Sequence, residues 1–192
     1  GSEAALNATS VGNSVVIGRQ AMGGGVPSGN NNVAIGHKAA YDTTSGYENI
    51  SIGTEAGENV TTANRNIFIG RSAGSAVTTS SEFNIIIGSG SVSANDVGNS
   101  NVFVGGGNNA KAALAETVGI GQSALTGVSG NSNTAVGFSA ANATNTATEI
   151  TAVGHGALRT VTGNSNTAIG KGVMGDGTGG GASNTGVGAR AL

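Results

Sequence analysis

The chain has no cysteine and no tryptophan, a single proline, and only 9% charged residues in 192. Without cysteine there is no disulfide framework and no thiolate metal site. Aromatics make up 3% and Leu occurs five times, which argues against a helix-rich globule around a Leu/Phe core. The formal net charge is −2 with no basic cluster behind it, so no nucleic-acid partner is expected. No apolar run approaches the roughly 20 residues of a membrane span, and no membrane insertion by this segment is expected. Low charge combined with much Gly, Ser and Asn also fits disorder. Against disorder, Val and Ile recur at fixed intervals.

Aligned on the glycine after each Val/Ile pair, the chain reads Gly18, Gly36, Gly53, Gly70, Gly88, Gly105, Gly121, Gly137, Gly154, Gly170 and Gly188, at intervals of 16 to 18 residues. A near-constant short period is the mark of a solenoid. Positions are numbered here from this anchor glycine. Position −1 is Ile or Val in all eleven coils. Position −3 is Val or Ile in the first seven and Thr134, Thr151, Thr167 and Thr185 in the last four. Two β-branched residues with one residue between them share a face only in a strand. The pattern therefore predicts an all-β fold, a parallel β-roll or β-solenoid of eleven coils, with positions −1 and −3 pointing into each coil.

Position −4 is Asn in eight coils, from Asn32 to Asn184. Stacked about 4.8 Å apart these amides form a ladder, and Asn also suits the turn into a strand; the two readings are compatible. Position +3 is Ala in eight coils and reads as a tightly packed second wall behind the bend at the anchor glycine. Position −2 is expected to face outward. There Phe68, Ile86 and Phe103 occupy consecutive coils and predict an exposed apolar stripe, hence a subunit interface.

Asn31-Asn32-Val33-Ala34-Ile35-Gly36, Asn133-Thr134-Ala135-Val136-Gly137 and Asn166-Thr167-Ala168-Ile169-Gly170 resemble the head repeats of trimeric autotransporter adhesins, and equally the repeats of phage-type tail fibres. The likeness covers about residues 11–192. It implies a left-handed parallel β-roll, three chains around one axis, and attachment to cell surfaces, on a virion tail or a bacterial exterior. Adhesin heads use shorter coils, and a 17-residue period is closer to the fibre repeats. Gly1-Ser2 reads as a tag scar, so residues 1–10 are taken as scar plus a partial first coil and 11–192 as one repeat domain. A pattern that starts and stops mid-coil predicts a segment of a longer fibre.

Apparent catalytic motifs dissolve into the repeat. Gly70-Arg71-Ser72-Ala73-Gly74 matches a hydrolase elbow, and Gly119 to Ala124 and Gly186 to Ala191 match a dinucleotide fingerprint, yet all are anchor glycines with their neighbours. Gly175 to Gly181 holds a single carboxylate, too few ligands for calcium. His37 and His155 are seven coils apart and share no metal within one chain. No catalytic, cofactor or metal residue is assigned, and an enzyme is not expected.

Function is expected on the surface. Tyr41, Tyr47 and Phe138 lie outside the core columns and are candidate contacts for a cell-surface glycan or protein receptor. The Gly-rich lobes Met22–Asn30 and Met174–Ser183 are expected to bulge from the rod. The leading expectation is a homotrimeric attachment-fibre segment. An ice-binding solenoid is the second reading, suggested by the Thr column but set back by its inward placement. A polysaccharide-cleaving solenoid is the third, set back by its thinly spread carboxylates.

Overall fold

The computed structural model describes residues 1–78, 80–92, 97–108, 114–142, 146–160, 162–175 and 181–191. Each coil gives one three-residue strand at positions −3 to −1. These are β1 (Val15–Ile17), β2 (Val33–Ile35), β3 (Ile50–Ile52), β4 (Ile67–Ile69), β5 (Ile85–Ile87), β6 (Val102–Val104), β7 (Val118–Ile120), β8 (Thr134–Val136), β9 (Thr151–Val153), β10 (Thr167–Ile169) and β11 (Thr185–Val187). They form one parallel sheet in chain order, column on column, and no helix occurs among the described residues. Ten inter-strand steps of about 4.8 Å give a sheet roughly 50 Å long.

The fold class read from the periodicity is the one observed, but the strand faces are the reverse of the expectation. Positions −3 and −1 lie on the outer face, and the residue between them is buried in ten of the eleven strands. Phe68, Ile86 and Phe103, expected at a subunit interface, are fully buried inside their own coils. Alternation fixes which residues share a face; it does not fix which face is inside. The coil is too flat to enclose two β-branched side chains per strand and takes one.

That one is matched in size by position +4 on the opposite side. Phe68 faces Gly74, where any Cβ would strike the Phe68 ring. A Cβ at Gly57 would lie 2.9 Å from the other edge of that ring. The relation inverts in coil seven: Gly119 faces Leu125, whose Cδ1 would stand 2.8 Å from an added Cβ. Ala152 faces Leu158 and Ala168 faces Met174, all buried. In these coils the larger side chain stands opposite the smaller; elsewhere both are small, as in Ala34 with Ala40 and Ala135 with Ala141, or both large, as in Ile86 with Val92. The +3 alanines are buried beside them, as expected of a second wall: Ala21, Ala39, Ala56, Ala73, Ala124, Ala140 and Ala157.

The backbone turns by left-handed residues at fixed columns. Position −5 has φ between 55° and 61° in every coil, from Asn13 to Ser183, and none of these residues is Gly. Such residues cost about 1 kcal/mol each where a Cβ is present. The cost is offset because the turns, like the strands, bond coil to coil: Arg65 N donates to Tyr47 O at 3.1 Å and Ser72 N to Thr54 O at 2.8 Å. This yields a local test at exposed Ser100, φ 61°. Ser100→Gly is expected to stabilise by about 0.5 kcal/mol and Ser100→Val to destabilise by about 1 kcal/mol, read by thermal denaturation.

The asparagine column is a buried ladder. Asn49 Oδ1 accepts from the backbone N of Asn66 at 3.0 Å and from its Nδ2 at 3.2 Å. Each Nδ2 also donates to the position −7 carbonyl of the following coil, Asn49 to Ala63 O at 2.7 Å and Asn101 to Leu114 O at 2.7 Å. Thr117 continues the chain through its hydroxyl, which accepts from Asn133 N at 3.4 Å. Ile150 N donates to Asn133 Oδ1 at 3.0 Å, but its side chain has no acceptor to continue the ladder.

Gly1 sits as a further anchor glycine: a Cβ there would meet Gly18 C at 2.5 Å, in the same way that each anchor meets the next. Residues 1–10 continue the stack, with Ala5 N donating to Ala21 O at 2.9 Å. The lobe Met22–Asn30 does not bulge freely. Gly24 N and Ser28 N donate to Tyr41 O and Thr44 O at 3.0 and 2.6 Å, which holds it on the next coil. Much of the second lobe, residues 176–180, lies outside the described residues.

Candidate functional surface

The outer face of the sheet carries two stacked columns of aliphatic side chains. Val15, Ile17, Ile120, Ile169 and Val187 are 39–66% exposed, and the remaining Val and Ile in these columns are half-buried by their stacked neighbours. At three residues wide and eleven strands long, the band covers about 500 Å², a size at which exposed apolar patches mark interaction surfaces. Sequence reasoning placed the exposed apolar stripe on the sheet but on the wrong residues; the columns assigned to the core are the ones that face outward. The four threonines at position −3, Thr134 to Thr185, therefore also face outward, in register.

Charge is divided across the band. On the side where the strands begin stand Glu48, Glu82, Glu116 and Glu149, with Arg65 as exception. On the side where they end stand Arg19, Lys38, Arg71, Lys171 and Arg190, with Glu55 as exception.

The three ring residues picked from the sequence are not brought together. Tyr41 is half-buried over Gly24, with Lys38 Nζ 5.1 Å from its ring centre. Phe138, 49% exposed, stacks on His155 at 5.2 Å. Tyr47 does belong to a group, whose other members the sequence reading missed. Arg65 Cζ lies 5.1 Å from the Tyr47 ring centre and 5.4 Å from that of Phe83, bridging three consecutive coils. Glu48 Oε2 accepts from Arg65 Nε at 2.9 Å, and Glu82 Oε2 lies 4.0 Å from its Nη1. The hydrogen bond to Glu48 is the main cause of a raised Arg65 pKa, and the neighbouring Tyr47 adds to it. Asn64 sets the scaffold beneath: its Oδ1 accepts from Tyr47 N at 3.0 Å and its Nδ2 donates to Glu82 at 3.2 Å. The signal was present in position −5, polar in every coil but that of Phe83.

His37 and His155 stand on separate coils; His37 Nε2 is 2.8 Å from Arg19 Nη2. Among the described residues no three His, Cys, Asp or Glu side chains are grouped to hold a metal ion. Ser72 of the elbow-like motif donates to Glu55 at 3.1 Å within the turn after β4.

No protein-family model, no curated protein and no solved structure matches the chain. The parallel β-solenoid stands on its own geometry.

Proposed function

We propose that the chain is a structural, adhesive segment of a homotrimeric attachment fibre acting outside the cell, of the phage tail-fibre or bacterial surface-fibre kind. The observation that carries this reading is the outward band of Val and Ile, unbroken at position −1 through all eleven coils. Because position −1 is Val or Ile in every coil and position −3 in the first seven, parallel copies in register set each coil's outward side chains against their own counterparts. Closure at three rests on the resemblance of the repeat motif to trimeric fibre heads. No catalytic step is assigned to the chain.

Ile52→Glu together with Ile87→Glu is expected to convert a trimer to monomers in sedimentation velocity while the β circular-dichroism signal persists, because both side chains lie on the outer face. A wild-type monomer would sink the trimer.

One correction favours a second reading. The outward Thr column removes the geometric objection to ice binding. Seven of eleven coils still carry Val or Ile there, which favours burial against another copy. The same sedimentation experiment separates the two, since an ice face must stay open; a monomer with thermal hysteresis activity selects the second.

A further inference from the structure

The geometry points to a saccharide-binding patch at Phe83, Arg65 and Tyr47, on the glutamate side of the apolar band, specific for neutral sugars. It does not rest on the trimer. Phe83 is 52% exposed and held at φ 60°. A bulky side chain in the left-handed region is strained, and a ring left half exposed recovers only part of what full burial would give. Ser meets the same backbone requirement at this position in the next coil, Ser100, and again in Ser132, Ser165 and Ser183. The fold therefore does not ask for a ring here. Unneeded strain combined with exposed apolar area is the mark of a site kept for binding.

The patch is prearranged. Arg65 occupies the space between Tyr47 and Phe83 and covers one side of the Phe83 ring. At the same position the next coil carries Ser100, too short to cover a ring, and the 52% of Phe83 left exposed is area that can stack against the apolar face of a pyranose. Glu48 binds Arg65 through one oxygen only, Oε2, which leaves Oε1 to accept from hydroxyls. Two carboxylates against one guanidinium leave the patch net negative, which disfavours sialylated or uronic sugars. Its height of three coils, about 10 Å, suits one or two sugar rings and is far too small for a stable protein interface.

The test is saturation-transfer NMR on the full chain with lactose, maltotriose and triacetylchitotriose, and with 3′-sialyllactose as the anionic probe. At least one neutral sugar is expected to receive saturation, with Phe83→Ser weakening it about tenfold or more and Phe138→Ser, at the other exposed ring, leaving it unchanged. Transfer to none of the neutral sugars overturns the proposal, as does transfer that survives Phe83→Ser or is lost equally with Phe138→Ser. Stronger transfer to the sialylated probe overturns the charge argument. A change in sedimentation on Phe83→Ser would make the patch a contact between copies and overturn it as a sugar site, whereas failure of the trimer alone leaves it standing.

Discussion

Gly137→Ala is expected to destabilise the chain by about 4 kcal/mol, a fall in melting temperature on the order of 10 °C, followed by circular dichroism. Two effects add. The anchor glycine sits at φ +134°, in a region open essentially only to glycine. Its missing side chain is also the space into which the next coil fits, since a Cβ there would lie 2.6 Å from Gly154 O. The carbonyl cannot retreat, because Gly154 is tied to coil eight by its own N–H, which donates to Val136 O at 2.8 Å. Gly188 separates the two effects. It has φ +125° but nothing within 4 Å of an added Cβ, so Gly188→Ala should show the strain alone, about 1–3 kcal/mol. Equal losses at the two sites would mean that the close approach of the coils contributes nothing.

Asn66→Leu, nearly isosteric, is expected to cost about 3 kcal/mol in urea denaturation. Asn66 is fully buried. Its Oδ1 accepts from the N and Nδ2 of Asn84, both at 3.0 Å, and its Nδ2 donates to Ser81 O at 2.8 Å. Removing the amide strands those partners in a site without water access, and the loss of buried partners is what makes such a change expensive. Ile150→Leu occupies the same column where the side chain carries no bond, and should cost less than about 1.5 kcal/mol. A similar cost at both positions would show that the column matters for shape and not for hydrogen bonding.

Both of these features were disclosed by the sequence. The anchor glycine, the strand limits and the asparagine ladder were all legible, because each is a column of one residue type and stacking in register is what a column means. The inside of the coil was not legible from apolarity. Val and Ile at positions −1 and −3 are more apolar than the Ala, Ser and Gly that mostly fill position −2, and the usual rule puts apolar residues inside. The rule failed because the interior is thin and small residues suit it. Opposed sizes at positions −2 and +4, Phe68 with Gly74 against Gly119 with Leu125, mark the two as facing each other, and only a comparison between columns reveals that. Phe83 was hidden by the opposite fault. Its column is variable, and a single aromatic among Ser, Asn, Glu and Arg carries no period.

The size matching inside the coils also bears on how such a chain can lengthen or recombine. The coils of Phe68 and Gly119 are exchangeable only as cassettes whose ends fall outside the span from position −2 to position +4, since a crossover between them within it would join a Phe to a Leu or a Gly to a Gly. The first overfills the lumen and the second empties it. Phe68 reaches back to Gly57 as well, so that cassette must carry part of its predecessor. The coils look interchangeable from outside, yet these two are keyed inside to the side chains they face.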